Sequence, residues 1–411
     1  MCAQAHQDLT GSAVEGSAAG PQRGGRVEGL DAWRALLMLG GLLLHGAVLQ
    51  EPSPLFDVIA LTSHSFRMGC FFAISGFLGG MSIVKRPSRQ WLGRRLVQIG
   101  LPAIFGLAVI CPLIRATVAL RQSWAHGPAP LPFEWYHLWF LVALLIYAPV
   151  AYLVDRAEAR HRFLERFTAS FCTSRRSLLP MMLTLAGMSF LLMLATAEAI
   201  GAVTPLAYIG AVNQCRTITG YLPLYLLGFA MARSPELQDA ARRGWRAPLA
   251  IVALTVAMYA AWYALVEPAQ PAGSRAWLDG MVQMIGAALC PPAAFLLIFR
   301  SAAGVRRTPQ LLRRLCEASL TMYLVHVPLI VAINFAVRKA GWNPYAGYLV
   351  TVTAGGLLSY LFHIAIVRPV PLLMLLVNGR IDAWRANSTS ALVDEPRHHL
   401  AIGTADLHLR A

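Results

Sequence analysis

The chain is short of charge. Asp, Glu, Lys and Arg make up 13% of its 411 residues, about half the share of an ordinary soluble domain. Acids are scarcer than bases, 20 Asp and Glu against 35 Lys and Arg, so few carboxylates are available to pair with buried cations or to relay protons. The seven cysteines, at 2, 70, 111, 172, 215, 290 and 316, form no C-x-x-C pair and no His/Cys ligand spacing. That argues against a zinc site and a disulfide framework, and no metal is expected. The apolar runs lack the alternation of a membrane barrel strand. No internal repeat relates the two halves, and no long polar stretch reads as a soluble second domain.

What is present is apolar length: 57% of the residues are hydrophobic. Runs near 33–50, 56–84, 96–118, 137–154, 177–199, 217–232, 247–266, 277–299, 318–337 and 346–378 are each of a length to cross a bilayer. They predict an all-α, polytopic integral membrane protein of about ten transmembrane helices. The second and last runs are long enough to tilt, kink or extend past the bilayer. Residues 29–379 form one membrane domain on this reading. Residues 1–28, rich in Gly, Ala and Ser, and the polar residues 380–411 read as flexible tails. The "DEPRHH" of the second tail is only a faint metal-binding hint.

The formal net charge of +15 reads as topology. With the N-terminus inside, 27 of the 35 Lys and Arg fall on cytoplasmic segments and six outside. This asymmetry predicts both termini in the cytoplasm. The bases lie on short inter-helix segments without interleaved stacking aromatics, so nucleic acid is not an expected partner. Membrane lipids are.

Ionisable groups inside spans are costly and by default mark a cavity or a site. "DAWRALLMLGGLLLHG" carries Arg34 and His45. Eleven residues make three turns plus about 20°, with a rise of about 16 Å, so both project from one helix face. Arg34 also reads as a positive-inside anchor paired to Asp31. In "HSFRMGCFFAISGFLGG", His64 and Arg67 are three apart, about 13 and 18 Å below the outer surface, and His45 is about 18 Å above the inner one. The three therefore converge in mid-membrane. Arg67 reads either as the receptor of an anionic ligand or as a donor to carbonyls freed near Gly76, Gly79 and Gly80.

Other positions carry two readings as well. His137 in "HLWFL" is a site residue or part of an interfacial aromatic belt, and His326 in "YLVHVPL" precedes the helix-bending Pro328. His363 and Arg368 read as packing or snorkelling residues, and Glu317 as a counter-charge to Arg313 and Arg314. Ser75 in "ISGF" lacks the strand-and-elbow setting of a nucleophilic serine; small-residue helix packing suits it better. After the second span, Lys85, Arg86, Arg89, Arg94 and Arg95 suit anionic lipid and also a phosphorylated cytosolic ligand such as a coenzyme A nucleotide.

Arg34 with His45, "FFAISGFL", "RRLVQIGLP" and "YLVHVPL" occur in this order along residues 28–378. In this set the sequence resembles the acyltransferase 3 family of membrane proteins, and within it the members that succinylate osmoregulated periplasmic glucans. The resemblance implies a ten-helix core in the bacterial inner membrane that takes an acyl group from cytosolic acyl-CoA to a carbohydrate hydroxyl on the other side. It implies Arg34 and His45 as the family's arginine and histidine pair, with the histidine catalytic. The family's basic motif after the second span matches Arg94 and Arg95; with the reading of the residues themselves, Arg34, Arg89, Arg94 and Arg95 are expected to hold acyl-CoA, and His64, Arg67, His137 and His326 to line the substrate site. Succinyl-CoA or acetyl-CoA would be a co-substrate, with no tightly bound cofactor and with glucan-synthesis proteins as possible partners. The outer segment 119–136 is the only sizeable one, so a smaller or lipid-linked sugar is an alternative acceptor and an O-acetyl group an alternative cargo. A transporter is the competing class, since intramembrane His and Arg also serve ion and proton paths.

Overall fold

The computed structural model describes residues 28–126, 135–172, 178–201, 209–266, 271–305 and 307–380. The expected tails lie outside these residues except for Glu28 and Arg380, as does the middle of the outer segment 119–136. Among the described residues there is helix and no strand.

Ten long helices follow one another among the described residues: α1 (Glu28–Ala47), α2 (Pro54–Ile83), α3 (Ser88–Ser123), α4 (Tyr136–His161), α5 (Leu179–Ile200), α6 (Ile209–Met231), α7 (Arg246–Val266), α8 (Ala272–Ala303), α9 (Gln310–Lys339) and α10 (Pro344–Val367). Eight of them are long and apolar enough to cross a bilayer, and the chain is a multi-pass membrane protein. The other two expected spans are α1 and α6, helices of 20 and 23 residues. At about 1.5 Å per residue each has the length for a core of about 30 Å. Their apolar runs are interrupted by Asp31, Arg34 and His45 in α1, and by Asn213, Gln214 and Arg216 in α6. Short helices Phe163–Cys172 and Pro235–Arg243 lie between spans.

Local chemistry sets the helix ends. Ser53 caps α2, its Oγ accepting from the Phe56 N–H at 3.4 Å, with Pro54 opening the first turn. Asn343 does the same for α10 through the Tyr345 N–H at 2.9 Å, followed by Pro344. The last expected span, 346–378, is divided: α10 stops at Val367 and a separate helix runs Pro371–Asn378. Pro369 and Pro371 have no N–H to continue the ladder, which breaks it there.

Packing follows the small residues. The second half of α2 lies along α6, where a Cβ on Gly76 would meet the Tyr225 carbonyl, one on Gly80 would come within 2.8 Å of the Phe229 carbonyl, and one on Gly228 would meet the Ala73 carbonyl. Small residues four apart let two helix backbones touch, the usual means of association where lipid tails remove the hydrophobic drive. The glycines of "SGFLGG" thus build a helix seam, and among the described residues Arg67 donates to Ser63 Oγ and not to their carbonyls. Against α2 and α6 pack α8 on one side, with Phe295 and Phe299 in its core, and α4 on the other, through Phe72, Phe140 and Tyr147. A third cluster joins α1 to α9, with Met38, Leu42, Met322 and Ile330 buried.

On one side of the bundle, Asp155 at the end of α4 accepts from Ser88 Oγ at 2.7 Å and pairs with Arg233 after α6. On the other, Arg121 donates to the Leu49 carbonyl at 2.9 Å and Arg338 pairs with Glu51 at 2.9 Å. These contacts hold the α1–α2 turn, and with it the end of α1 that carries His45.

Candidate active site

A cavity of about 700 Å³ lies within the bundle, lined by α1, α2, α3, α4, α6, α9 and the end of the helix Pro371–Asn378 with the two residues that follow it. Arg34, Arg95, Gln98 and Arg380 line it at one end; His45, His137 and His326 line it deeper. Among its described lining residues Glu317 is the one carboxylate. Asp31, just behind, accepts from Arg34 Nη1 at 3.4 Å. The Arg34 side chain remains 30% exposed, so this pair does not exhaust its five donors.

The imidazoles form a triangle. Ring centroids are 5.1 Å apart for His45 and His326, 5.2 Å for His137 and His326, and 6.3 Å for His45 and His137. His326 Nδ1 lies 2.8 Å from the Tyr323 carbonyl and 3.0 Å from that of Met322. A carbonyl only accepts, so Nδ1 is the donor and Nε2 of the neutral ring keeps its lone pair. His137 is buried, and neither of its ring nitrogens makes a well-aligned hydrogen bond. Its ring faces the backbone of Tyr323 and Leu324, and Pro328 lacks the N–H that would take the Leu324 carbonyl. Tyr136 precedes it with φ 49°, a left-handed conformation that costs a non-glycine residue about 1 kcal/mol or more. Tyr323 Oη donates to the His137 carbonyl, fastening this turn to α9.

Arg67 has a built seat. It closes the π-helical turn Ser63–Arg67 inside α2, the kind of bulge that often accompanies function because it re-aims side chains. Its Nε donates to Ser63 Oγ at 2.7 Å. Its side chain then lies across the two glycines of α1: a Cβ on Gly40 would stand 3.2 Å from Cδ, and one on Gly41 3.0 Å from Nη1. The "GG" of the first helix is therefore space for the arginine of the second. His64, on the same π turn, lines the cavity too.

The structure thus brings together Arg34, His45, His64, Arg67, Arg95, His137 and His326 in one cavity. Arg89 and Arg94 are not among its lining residues; Arg89 is placed against Tyr152 of α4. Glu317 and Ser75, read from sequence as a counter-charge and a packing residue, also line the wall. His363 is buried, with Nδ1 2.8 Å from Thr321 Oγ1, away from the triangle. Sequence reasoning missed Tyr323, Gln98 and Arg380. Tyr323 had a signal, lying three residues before His326 and so on the same helix face; Gln98 follows Arg95 at the same spacing. Arg380 had none.

Comparison with known proteins gives a consistent picture. The profile of an acyltransferase domain, Acyl_transf_3, matches residues 27–368. Glucans biosynthesis protein C of Escherichia coli O81 (strain ED1a) is 23% identical over 395 residues, covering 87% of this chain and 96% of that protein. The protein of the same name from Escherichia coli O1:K1 / APEC is 25% identical over 395 residues with the same coverage. No solved structure matches the chain.

Proposed function

From a chain that belongs to the acyltransferase 3 family, we propose an O-acyltransferase of the bacterial inner membrane that moves an acyl group, succinyl by preference, from cytosolic acyl-CoA to hydroxyls of a periplasmic glucan. The observation that carries this is a continuous cavity joining arginines to imidazoles. Arg34 and His45 are separated on α1 by a rise of about 16 Å, and a donor with phosphates at one end and a thioester on a long flexible arm matches such a division. The relatives' name supports the glucan, and the basic side assigned to the cytosol supports the direction. Membrane lipids surround the protein, and proteins of glucan synthesis are its expected partners.

His45 in its neutral form takes the proton of the acceptor hydroxyl as the oxygen attacks the thioester carbon. The C–O bond forms, the tetrahedral intermediate collapses, the C–S bond breaks, and the leaving thiolate receives the proton from the imidazolium. No cofactor enters these steps. General-base help of this kind supplies about 10² to 10⁴ in rate. His326, whose Nδ1 is committed to backbone carbonyls, presents Nε2 as a fixed acceptor beside His45. His137 and His64 line the acceptor's place. Arg67, with only its Nε engaged by Ser63, receives the distal carboxylate of a succinyl group, and its guanidinium is the charge partner that a buried carboxylate requires.

The test uses full-length protein in lipid nanodiscs with succinyl-CoA and a periplasmic glucan. Acceptor-dependent release of free coenzyme A, with gain of a succinyl mass on the glucan, is the expected result. Flux of a solute without thioester consumption would replace the enzyme by a transporter; acetyl transfer to another saccharide would keep the reaction class and change its cargo.

A further inference from the structure

Arg380 belongs to no membrane span, yet it lines the arginine-rich mouth of the cavity together with Asn378 and Gly379. A backbone turn puts it there. Gly379, following the helix Pro371–Asn378, has φ +61°, the left-handed region that glycine enters without cost. Its N–H reaches the Leu375 carbonyl at 2.9 Å, and the Arg380 N–H reaches the Met374 carbonyl at 3.3 Å. A Cβ at Gly379 would run into the backbone of Gln98. The turn is therefore seated on α3 itself, one helical turn beyond Arg95, where both Arg95 and Gln98 line the cavity. Arg34 reaches the same mouth from α1.

Three permanent cations from three segments meet in one mouth, with Arg67 deeper, against the carboxylates of Glu317 and Asp31. Such an excess of one sign around one opening is relieved when an anion enters. We infer that Arg380, held by the Gly379 turn, is the third arm of an anion clamp with Arg34 and Arg95 that grips the phosphates of the donor nucleotide. The inference rests on the acyl-CoA reading above. Guanidinium groups bind phosphate oxygens in pairs of parallel hydrogen bonds, and coenzyme A offers a pyrophosphate and a ribose phosphate, enough for separate arms. An anionic phospholipid headgroup has the same chemistry. The continuity of the mouth with the imidazoles favours a ligand that also delivers a reacting group there.

The experiment measures coenzyme A binding to full-length protein in phosphatidylcholine nanodiscs, which lack anionic lipid. Arg380→Ala is expected to weaken binding about tenfold, the scale of one lost charge-assisted contact. Arg380→Lys keeps the charge without the fork and is expected between the two. Gly379→Ala, which must displace the turn, is expected to weaken binding in the same direction while leaving Arg380 in the chain. Arg166→Ala, at the exposed helix between α4 and α5, is the control and is expected within twofold of the parent. Unchanged binding in Arg380→Ala overturns the clamp and leaves the proposed function standing. An equal loss in Arg166→Ala overturns it as bulk electrostatics. So does a loss of co-purified anionic lipid from native membranes without any change in coenzyme A binding. No coenzyme A binding by the parent protein overturns the donor reading, and the clamp with it.

Discussion

At one end of the cavity three guanidiniums arrive from α1, α3 and the chain after α10; at the other, three imidazoles arrive from α1, α4 and α9. The first set cannot give up a proton in a protein and so serves only to hold charge. The second set has ring nitrogens that can take up and return a proton and is packed ring against ring. α1 is common to both, and its Arg34 and His45 stand at opposite ends of one helix face. On the proposed function, donor binding at the mouth and proton transfer at the imidazoles are separated along the cavity by distance, an arrangement that would let an acyl carrier stay gripped while its distal end reacts.

The largest blow to this division of labour would be His45→Ala. It is expected to lower turnover by about 10² to 10⁴ while coenzyme A binding and membrane insertion persist. Near-parental turnover would remove His45 from the chemical role. Arg67→Ala comes next: about ten- to a hundredfold loss with succinyl-CoA, the scale of an unpaired buried charge contact, and little loss with acetyl-CoA. Equal losses on both donors would make Arg67 structural, or would place it on the thioester oxygen, common to both donors, instead of the distal carboxylate. Arg95→Ala tests the binding end and is expected to raise the KM for acyl-CoA about tenfold with kcat nearly unchanged. A fall in kcat alone would erase the separation. The smallest effect is expected from Gly41→Ala, whose new methyl would press on Arg67 Nη1 from 3.0 Å. A few-fold drop confined to succinyl-CoA, read as the ratio of kcat/KM for the two donors, would show that the glycine pair seats Arg67.

Much of this was legible in the chain. The membrane class, the helical class and the position of most spans follow from apolar length. The shared face of Arg34 and His45 follows from the helical repeat, and the common depth of His45, His64 and Arg67 from counting residues. What escaped is equally specific. The span expected at 346–378 is two helices, because its prolines break the ladder that its apolar composition conceals. Arg89 and Arg94 were indistinguishable from Arg95 in a run of bases; only the face of α3 turned to the cavity selects Arg95. The "GG" of α1 gave no hint that it receives Arg67, since the two lie on different helices and meet only across the π turn of α2.

Sequence by itself determined that this is a helical membrane protein with costly ionisable groups inside its spans, because the penalty for burying polar backbone and charge in hydrocarbon depends on composition and local period alone. Only the tertiary structure decided which of those groups share a cavity. His45, His137 and His326 are 92 and 189 residues apart along the chain, and Arg380 reaches the mouth only because Gly379 can lie against Gln98. Contacts between helices are set by how their surfaces interlock, and no local pattern in one helix records the face that another presents.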